Sequence, residues 1–345
     1  MFIIIGVGAI VLTYLGVAII KRLSLQNNVL DIPNERSMHY APIPRGGGLA
    51  IVIATFLFSG VLWIIEPLWA INRPIILVIG GMLIAGTSLW DDLHPIPYWI
   101  RLAVHIIVAG MVVIGIGYWR VFQIPFVGQF DLLWIGLLLT FLWITGLINA
   151  YNFMDGIDGM AGGQGVVAGL GWAILGWLSG QLFITGLGLV IAASCLGFLG
   201  HNWKQAKIFM GDVGSTFLGY TFAVLPVVAG QHDPRLALAG VLLVWPFVFD
   251  TVYTFVQRLL HRENIFTAHR SHLYQRLVLT GFSHKTVASL YIGLALIGLV
   301  CSVALVMKWP WADYWTVIII IVTPLILWQG TRWRERSFSK TTNPQ

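Results

Sequence analysis

The sequence predicts an all-α protein, a polytopic transmembrane helical bundle, on three observations. The chain has 345 residues, of which 58% are hydrophobic and only 10% charged, whereas soluble domains carry about 25% charged residues. Apolar runs of about 17 to 25 residues, each long enough to span a bilayer, recur along the chain. Because these runs lack the alternation of an outer-membrane barrel, their backbone groups must be paired within helices.

The apolar runs predict about eleven spans. They lie at residues 2–20, 49–66, 75–90, 101–118, 131–149, 161–178, 182–200, 214–230, 236–257, 286–306 and 314–329. Residues 1–330 therefore form a single membrane domain, followed by a short cytoplasmic tail at 331–345, and we expect disorder from Gln329 onward. The first run is not preceded by a basic segment, so we expect it to be retained as a helix.

The distribution of positive charge predicts the orientation of these spans. Sixteen of the 20 Lys and Arg residues fall in one alternating set of connections, and only Arg73, Arg120, Arg235 and Lys308 fall in the other. The positive-inside rule then places the N-terminus in the periplasm and the C-terminus in the cytoplasm. The net charge of +6 follows from this bias and from contact with anionic lipid, and nothing indicates nucleic-acid binding.

A polar stretch between the fifth and sixth spans is the first candidate site. Polar residues recur there at every third position, namely Asn149, Asn152, Asp155 and Asp158, and a glycine follows each acid. Residues three apart share a helix face, and the glycines favour a break in the helix. Two carboxylates at a broken helix end suit a divalent cation and a phosphate better than they suit lipid.

Further acids end the third span and begin the eighth. Asp91 and Asp92 stand at a helix C-terminus, where the dipole disfavours anions, so they either need a cation or basic partner or are solvated caps. Asp212 follows Gly211 at a helix start. The amides there either receive phosphate oxygens or are capped by Asp212 itself.

Basic residues gather in the same set of connections. His269, Arg270 and His272, with Arg276 close behind, form a compact cationic group that faces a diphosphate or lipid headgroups. Arg45 precedes three glycines, which either shape a re-entrant turn or bring Arg45 against a phosphate.

Three residues within the spans complete the candidates. Asp250 lies inside the ninth span, where an acid is a functional candidate unless it pairs structurally with Arg258 or a hydroxyl. Cys195 and Cys301 are interpreted as small core residues.

The motifs at Asp91–Asp92, 149–159, 209–215 and 269–276 resemble those of polyprenyl-phosphate N-acetylhexosamine-1-phosphate transferases, in glycosyltransferase family 4. The family includes the phospho-N-acetylmuramoyl-pentapeptide transferase and the undecaprenyl-phosphate GlcNAc-1-phosphate transferase. The resemblance implies a multi-pass protein of the bacterial inner membrane, with a cleft that faces the cytoplasm. It also implies transfer of a sugar 1-phosphate from a UDP-sugar to undecaprenyl phosphate, with release of UMP.

The resemblance further implies roles for individual residues. Asp212 ligates Mg²⁺, for which Mn²⁺ can substitute, and Asp155 lies beside it. The implied catalytic residues are Asp91, Asp92, Asp155 and Asp158. The implied substrate-binding residues are Asn149, Asn152, His269, Arg270, His272, Arg45 and Gly211.

The sequence departs from the muramoyl branch, which usually has a Lys shortly after the Asp pair, where Leu93-His94-Pro95 stand here. The segments 31–37 and 44–48 look more like the O-antigen-initiating branch, which uses sugars such as N-acetylfucosamine or N-acetylquinovosamine. The sequence leaves open the exact sugar and whether the protein forms a homodimer. It also leaves open whether an Asp attacks covalently or the lipid phosphate attacks directly, and we favour direct attack. The alternatives are a transporter or lipid flippase, with ionisable groups in broken helices near the midplane, and an inactive scaffold.

Overall fold

The structure, a computed structural model, describes residues 1–33, 38–65, 74–203, 205–264 and 269–342. Within these ranges the elements are α1 (Phe2–Gln26), β1 (Leu30–Asp31), β2 (Ile43–Pro44), α2 (Gly48–Ile65), α3 (Pro74–Leu93), α4 (Tyr98–Gly115), β3 (Val121–Ile124), β4 (Gly128–Asp131), α5 (Ile135–Phe153), α6 (Met160–Leu178), α7 (Leu182–Asn202), α8 (Asp212–Gly230), α9 (Pro234–Leu243), α10 (Trp245–Leu260), α11 (Leu273–Leu279), α12 (His284–Val306) and α13 (Ala312–Thr342). The strands form two antiparallel hairpins, β1 with β2 and β3 with β4.

Helix α8 forms the centre of the bundle and packs mainly against α5 and α3. In its apolar window 94% of the residues are buried, against 22% in α1 and in α4. Helices α6 and α7 pack closely because small residues meet between them: a Cβ on Gly169 would lie 2.7 Å from the backbone nitrogen of Ala192. Such small residues let helices associate in lipid, where no hydrophobic effect drives them together.

The connections between helices gather at two ends of the bundle. One is the aspartate end, where Asp91, Asp92, Asp155 and Asp212 lie. The other is the distal end, formed by the β3–β4 hairpin and by the α8–α9 and α12–α13 connections. The 19 residues of α8 separate the two ends by about 28 Å at 1.5 Å per residue.

The ninth predicted span is broken in two. Helices α9 and α10 meet at an angle of 73°, and Pro246 stands in the first turn of α10. Because proline lacks an N–H group and clashes with the preceding turn, it ends a helix or begins a new one. The prediction of one continuous span at 236–257 is therefore wrong.

The predicted all-α architecture is confirmed, and helices occupy all eleven predicted positions. Among the described residues, nine helices are long and apolar enough to cross a bilayer, and the bent pair α9–α10 makes up to ten, while α2 is shorter. The protein is thus an all-α polytopic membrane protein.

Local details differ from the predictions at several places. Helix α13 continues to Thr342, so the disorder predicted from Gln329 onward is wrong as far as Thr342, and residues 343–345 lie outside the described ranges. The two hairpins and the short helix α11 were not predicted.

Candidate active site

The start of α8 is capped by a side chain from α3. One oxygen of the Asp92 carboxylate accepts a hydrogen bond from the backbone N–H of Asp212 (3.1 Å), and the other accepts one from Val213 (3.0 Å). Asp92 is only 3% exposed, and the first amides of a helix need such an acceptor. The amides predicted to receive phosphate are therefore already paired.

Gly211 allows this cap to form. Its φ is +77°, a conformation that residues with a Cβ rarely adopt. A Cβ there would lie 2.7 Å from an Asp92 carboxylate oxygen. The structure assigns Gly211 a packing role, and its contact with a substrate stays a prediction.

Arg101 on α4 joins two of the aspartates. Its Nη1 donates to Asp91 (2.8 Å) and to Asp212 (2.9 Å), while the second oxygen of Asp91 accepts from the backbone N–H of Ile96 (2.8 Å). The expected basic partner of Asp91 is therefore Arg101, which the sequence predictions used only for the charge bias. Its signal was a single arginine ten residues after Asp91, at the start of the next apolar run.

Asn152, in the last turn of α5, makes the second side-chain hydrogen bond to the Asp212 carboxylate. Its amide nitrogen donates to Asp212 Oδ1 (2.9 Å) and to Ser215 Oγ (3.0 Å). Asn149, one turn earlier, instead contacts the His105 ring on α4 (3.1 Å) and donates to the carbonyl of Thr145. The structure thus brings Asn152 to the aspartates and uses Asn149 to join α4 to α5.

The two acids of the α5–α6 connection differ in their surroundings. The Asp155 carboxylate accepts no hydrogen bond from the described residues. Burial raises its pKa well above the usual range, and the nearby carboxylates of Asp212 and Asp92 raise it further. Asp158 accepts from the backbone N–H of Ala206 (3.2 Å) and lies 3.5 Å from His284. Asp155 therefore belongs with the aspartates, whereas Asp158 joins this connection to α12.

Two side chains missed by the sequence analysis hold the α5–α6 connection in place. Tyr274 donates its hydroxyl to the carbonyl of Phe153 (2.9 Å), and Asn202 accepts from the backbone N–H of Gly159 (2.8 Å). Gly159 has φ +76°, so the predicted break at this glycine is confirmed.

Arg45 lies against the cap of α8. Its guanidinium donates to the backbone carbonyl of Asp92 and lies 4.0 Å from the Asp92 carboxylate. The backbone around it pairs with the segment before α8, since Phe209 donates to Pro44 (2.8 Å) and Gly47 donates to Phe209 (2.9 Å). The 44–48 motif is thus part of the aspartate end, whereas residues 34–37 of the other motif lie outside the described ranges.

Asp250 is saturated with hydrogen bonds. Fully buried, it accepts from the backbone of Leu273 (2.9 Å) and Tyr274 (3.1 Å) at the start of α11, and from the ring of His272 (3.1 Å). The hydroxyls of Thr254 and Tyr291 donate to it as well. It therefore caps α11. The predicted structural partner of Asp250 was either Arg258 or a hydroxyl, and the hydroxyls of Thr254 and Tyr291 are observed.

The basic group at 269–276 is not a cluster of free cations. Arg276 makes a two-nitrogen ion pair with Glu335 on α13, both contacts at 2.8 Å, and Asp250 engages His272. Burial lowers the pKa of His269 to about 4, and electrostatic interaction with His272 and Arg258 acts in the same direction. Two members of the predicted cationic group, His272 and Arg276, are thus each paired with a carboxylate, and the contact of His269, Arg270 and His272 with a diphosphate stays a prediction. Half-buried Arg270 lies beside His269.

Comparison with known proteins decides the family. The model of glycosyl transferase family 4 matches residues 74–230, the range that contains Asp91, Asp92, Asp155 and Asp212. A probable undecaprenyl-phosphate N-acetylglucosaminyl 1-phosphate transferase from Bacillus subtilis is 32% identical over 334 residues, covering 94% of this chain and 90% of that protein. The chain belongs to glycosyl transferase family 4.

More distant relatives share most of the length of this family 4 member. The decaprenyl-phosphate N-acetylglucosaminephosphotransferase of Mycobacterium tuberculosis is 31% identical, over 87% of this chain and 82% of that protein. A phospho-N-acetylmuramoyl-pentapeptide-transferase from Lactiplantibacillus plantarum is 28% identical, over 76% of this chain and 83% of that protein.

Proposed function

We propose that this family 4 protein transfers an N-acetylhexosamine 1-phosphate from a UDP-sugar to undecaprenyl phosphate and releases UMP. The observation that carries the proposal is the convergence of α3, α4, α5 and α8 on Asp212, through Asp92, Arg101 and Asn152. The names of the relatives from Bacillus subtilis and Mycobacterium tuberculosis, both polyprenyl-phosphate N-acetylglucosamine phosphate transferases, support the same reaction.

The reaction exchanges one phosphoanhydride bond for another. An oxygen of the lipid phosphate attacks the phosphorus that bears the sugar, and the bond from this phosphorus to the oxygen of UMP breaks. UMP leaves with that oxygen and its electron pair. Because both reactants are anions, most of the catalysis consists of positioning and charge stabilisation.

The residues of the aspartate end suit this task as positioning groups. Arg101 and Asn152 hold both oxygens of Asp212. Asp91 and Asp92 have their oxygens engaged by Arg101 and by backbone amides, which favours an orienting role over that of a base. Direct attack by the lipid phosphate needs no covalent aspartyl intermediate.

The donor set fits Mg²⁺, with Mn²⁺ as a substitute. Among the described residues no three His, Cys, Asp or Glu side chains form a ready ligand group, and Mg²⁺ commonly takes one or two carboxylates together with substrate phosphates and water. Asp212 and Asp155 would hold the ion, which would neutralise charge on the diphosphate. The nucleotide sugar would contact the remaining predicted binding residues, namely Asn149, Asn152, His269, Arg270, His272, Arg45 and Gly211.

We further propose the inner membrane as the location and the cytoplasmic side as the aspartate end, on the charge bias of the connections. N-acetylglucosamine is the first donor to test because of the relatives' names, followed by N-acetylfucosamine and N-acetylquinovosamine. The product would initiate O-antigen or another surface polysaccharide.

The transporter alternative receives little support. A broken helix with a buried acid is a transporter feature, and α9–α10 with Asp250 has this form. Asp250 is, however, occupied by five hydrogen bonds within the protein.

The test uses purified protein with undecaprenyl phosphate, a panel of UDP-N-acetylhexosamines, and either Mg²⁺ or EDTA. We expect UMP release in step with transfer of sugar label into the lipid phase, only with Mg²⁺ and with one preferred donor. Binding of the lipid without transfer from any donor would overturn the proposal, and liposome flux assays would then test transport.

A further inference from the structure

An open pocket of about 740 Å³ lies at the distal end, on the opposite side of the protein from the aspartates. We call it the distal pocket, and its lining includes Gln123, Gln129, Arg235, Lys308, Trp311 and Asp313. Three separate connections supply these residues. Its volume falls within the range of small-molecule sites, about 300–1,000 Å³.

The walls of the distal pocket are held in place by specific contacts. Asp313, in the first turn of α13, accepts from the backbone N–H of Phe126 at the hairpin tip (3.1 Å), and the rings of Phe126 and Tyr314 meet edge to face at 4.7 Å. Arg235 donates to the carbonyl of Val306 (2.8 Å) at the end of α12. The three connections therefore form one preorganised concavity.

The backbone of this region is unusual. Phe126, Lys308 and Trp311 all have positive φ, of +65°, +54° and +72°, which is uncommon for residues with side chains. Such conformations persist only where the surrounding contacts impose them, and they cluster at ligand sites.

The charges lining the distal pocket cancel. Arg235 is paired with Asp233 at 2.6 Å, and Lys308 is balanced in formal charge by Asp313. His232 and Tyr314 are the other titratable residues in the lining. A pocket with balanced charge offers no net attraction to an anion such as a phosphate, and its many polar groups are unsuited to an acyl chain.

The distal pocket instead combines hydrogen-bonding groups with aromatic faces. The Gln123 and Gln129 amides and the Lys308 ammonium are donors, and the Asp313 oxygen that does not hold Phe126 is an acceptor. Trp309 and Trp311 are 50% and 67% exposed, so their rings are open to contact. A sugar has both features, since its hydroxyls donate and accept while its C–H faces are apolar.

We propose that the distal pocket binds a saccharide, either free or as the head of a glycolipid. The proposal goes beyond the proposed function and does not depend on it. The sugar ring packs on Trp311 or Trp309 and its hydroxyls bond to the amide and charged groups around them.

The test measures binding by the full-length protein in phosphatidylcholine nanodiscs. Maltoside detergents are excluded because their headgroup is itself a disaccharide. The probes are N,N′-diacetylchitobiose and maltose, observed by saturation-transfer difference NMR and by quenching of tryptophan fluorescence, and a glycolipid with the same head in the nanodisc separates the two sources. We expect saturable binding of at least one of these sugars.

Variants connect the binding to the pocket. Trp311→Leu should weaken it at least about tenfold, since a tryptophan supplies much of the contact energy in such sites. The control Trp134→Leu removes another exposed tryptophan near the same end, outside the pocket lining, and should leave binding unchanged. Asp212→Asn should also bind normally, which separates this site from the active site.

Three results would overturn the proposal. They are the absence of saturable binding for every sugar probe, equal binding by Trp311→Leu and wild type, and loss of binding in Asp212→Asn. Quenching of these tryptophans by brominated lipids with no response to sugar would show that they are interfacial anchors instead.

Discussion

Asp212 is the residue on which the aspartate end is built. Its carboxylate accepts from Asn152 on α5 and from Arg101 on α4, and its backbone amide is capped from α3. A side chain held on both oxygens is fixed in orientation before substrates arrive. This preorganisation is what electrostatic catalysis requires.

Replacing this carboxylate tests its role. We expect Asp212→Asn to lower turnover at least about 100-fold, because it removes the negative charge that would hold the cation. The control Asp131→Asn removes an exposed carboxylate on β4 and should retain activity. The measurements are UMP release and elution as a monodisperse peak in mild detergent. Normal turnover by folded Asp212→Asn would refute the metal assignment.

His269 predicts a pH dependence of stability. Its pKa is lowered to about 4, first by burial, whereas an unfolded histidine has a pKa of about 6.5. Between these values the unfolded chain binds the extra proton, so stability falls as the pH falls from about 6.5 toward 4. His269→Gln should therefore lose less thermal stability than wild type between pH 7 and pH 5. An equal loss in both proteins would contradict the buried neutral imidazole.

At the scale of elements, two helix starts depend on carboxylates from other helices. Asp92 on α3 caps α8, and Asp250 on α10 caps α11. Each cap joins elements distant in the chain, so the cap fixes packing as well as the helix terminus. The cap of α8 also places Asp212.

The Gly211 position allows a matched test of the α8 cap. Gly211 and Gly281 both have positive φ, +77° and +93°, but a Cβ would collide with Asp92 only at Gly211, and nothing lies within 4 Å at Gly281. Both alanine variants carry a backbone cost, which is larger at Gly211 because φ +77° with ψ 168° is a conformation that essentially only glycine adopts. Gly211→Ala should in addition displace Asp92 and lower turnover at least about tenfold relative to Gly281→Ala. Equal turnover would show that the cap does not influence the site.

We expect Asp250 to contribute to the folding stability of the protein rather than to catalysis. Asp250→Asn keeps one oxygen but places an amide NH₂ group where the other accepts from the Tyr274 N–H and the Tyr291 hydroxyl. Two buried donors lose their acceptor, so the variant should cost about 3 kcal/mol of folding free energy. The thermal unfolding midpoint should fall clearly, whereas that of Asp212→Asn should stay close to wild type. An unchanged midpoint with altered lipid or solute flux would instead revive the transporter alternative.

At the scale of the whole molecule, the bundle separates two chemically different ends. The aspartate end collects carboxylates and arginines that order one another. At the distal end the β3–β4 hairpin bonds to the start of α13, and aromatic side chains are exposed there. Helix α8, buried along its length, ties the two together.

Cysteine labelling tests the orientation of the two ends. Cys195 and Cys301 are buried, so single cysteines introduced at exposed positions should dominate the signal. We expect Gln129→Cys at the distal end to react with an impermeant maleimide in intact cells, and His94→Cys at the aspartate end to react only after permeabilisation, because the basic connections face inward. The reverse pattern would invert the proposed topology.

Local signals in the sequence were sufficient to predict the membrane class, the positions of the helices and the stretch of chain that carries the candidate site. Hydropathy and glycine placement are local signals, so they predicted the eleven helical positions and the break at Gly159. The motifs containing Asp91, Asp92, Asp155 and Asp212 were also enough for the family resemblance that the comparisons bear out.

The partners of these side chains, by contrast, follow from how the helices pack. Asp92 meets the amide of Asp212 across 120 positions of chain, and Arg101 meets Asp212 across 111; no local pattern specifies such pairings. The same holds for Asp158 with His284 and for Asp250 with α11. Which polar groups become neighbours depends on how the helices pack, because inside a membrane protein each buried polar group must find its partner within the fold.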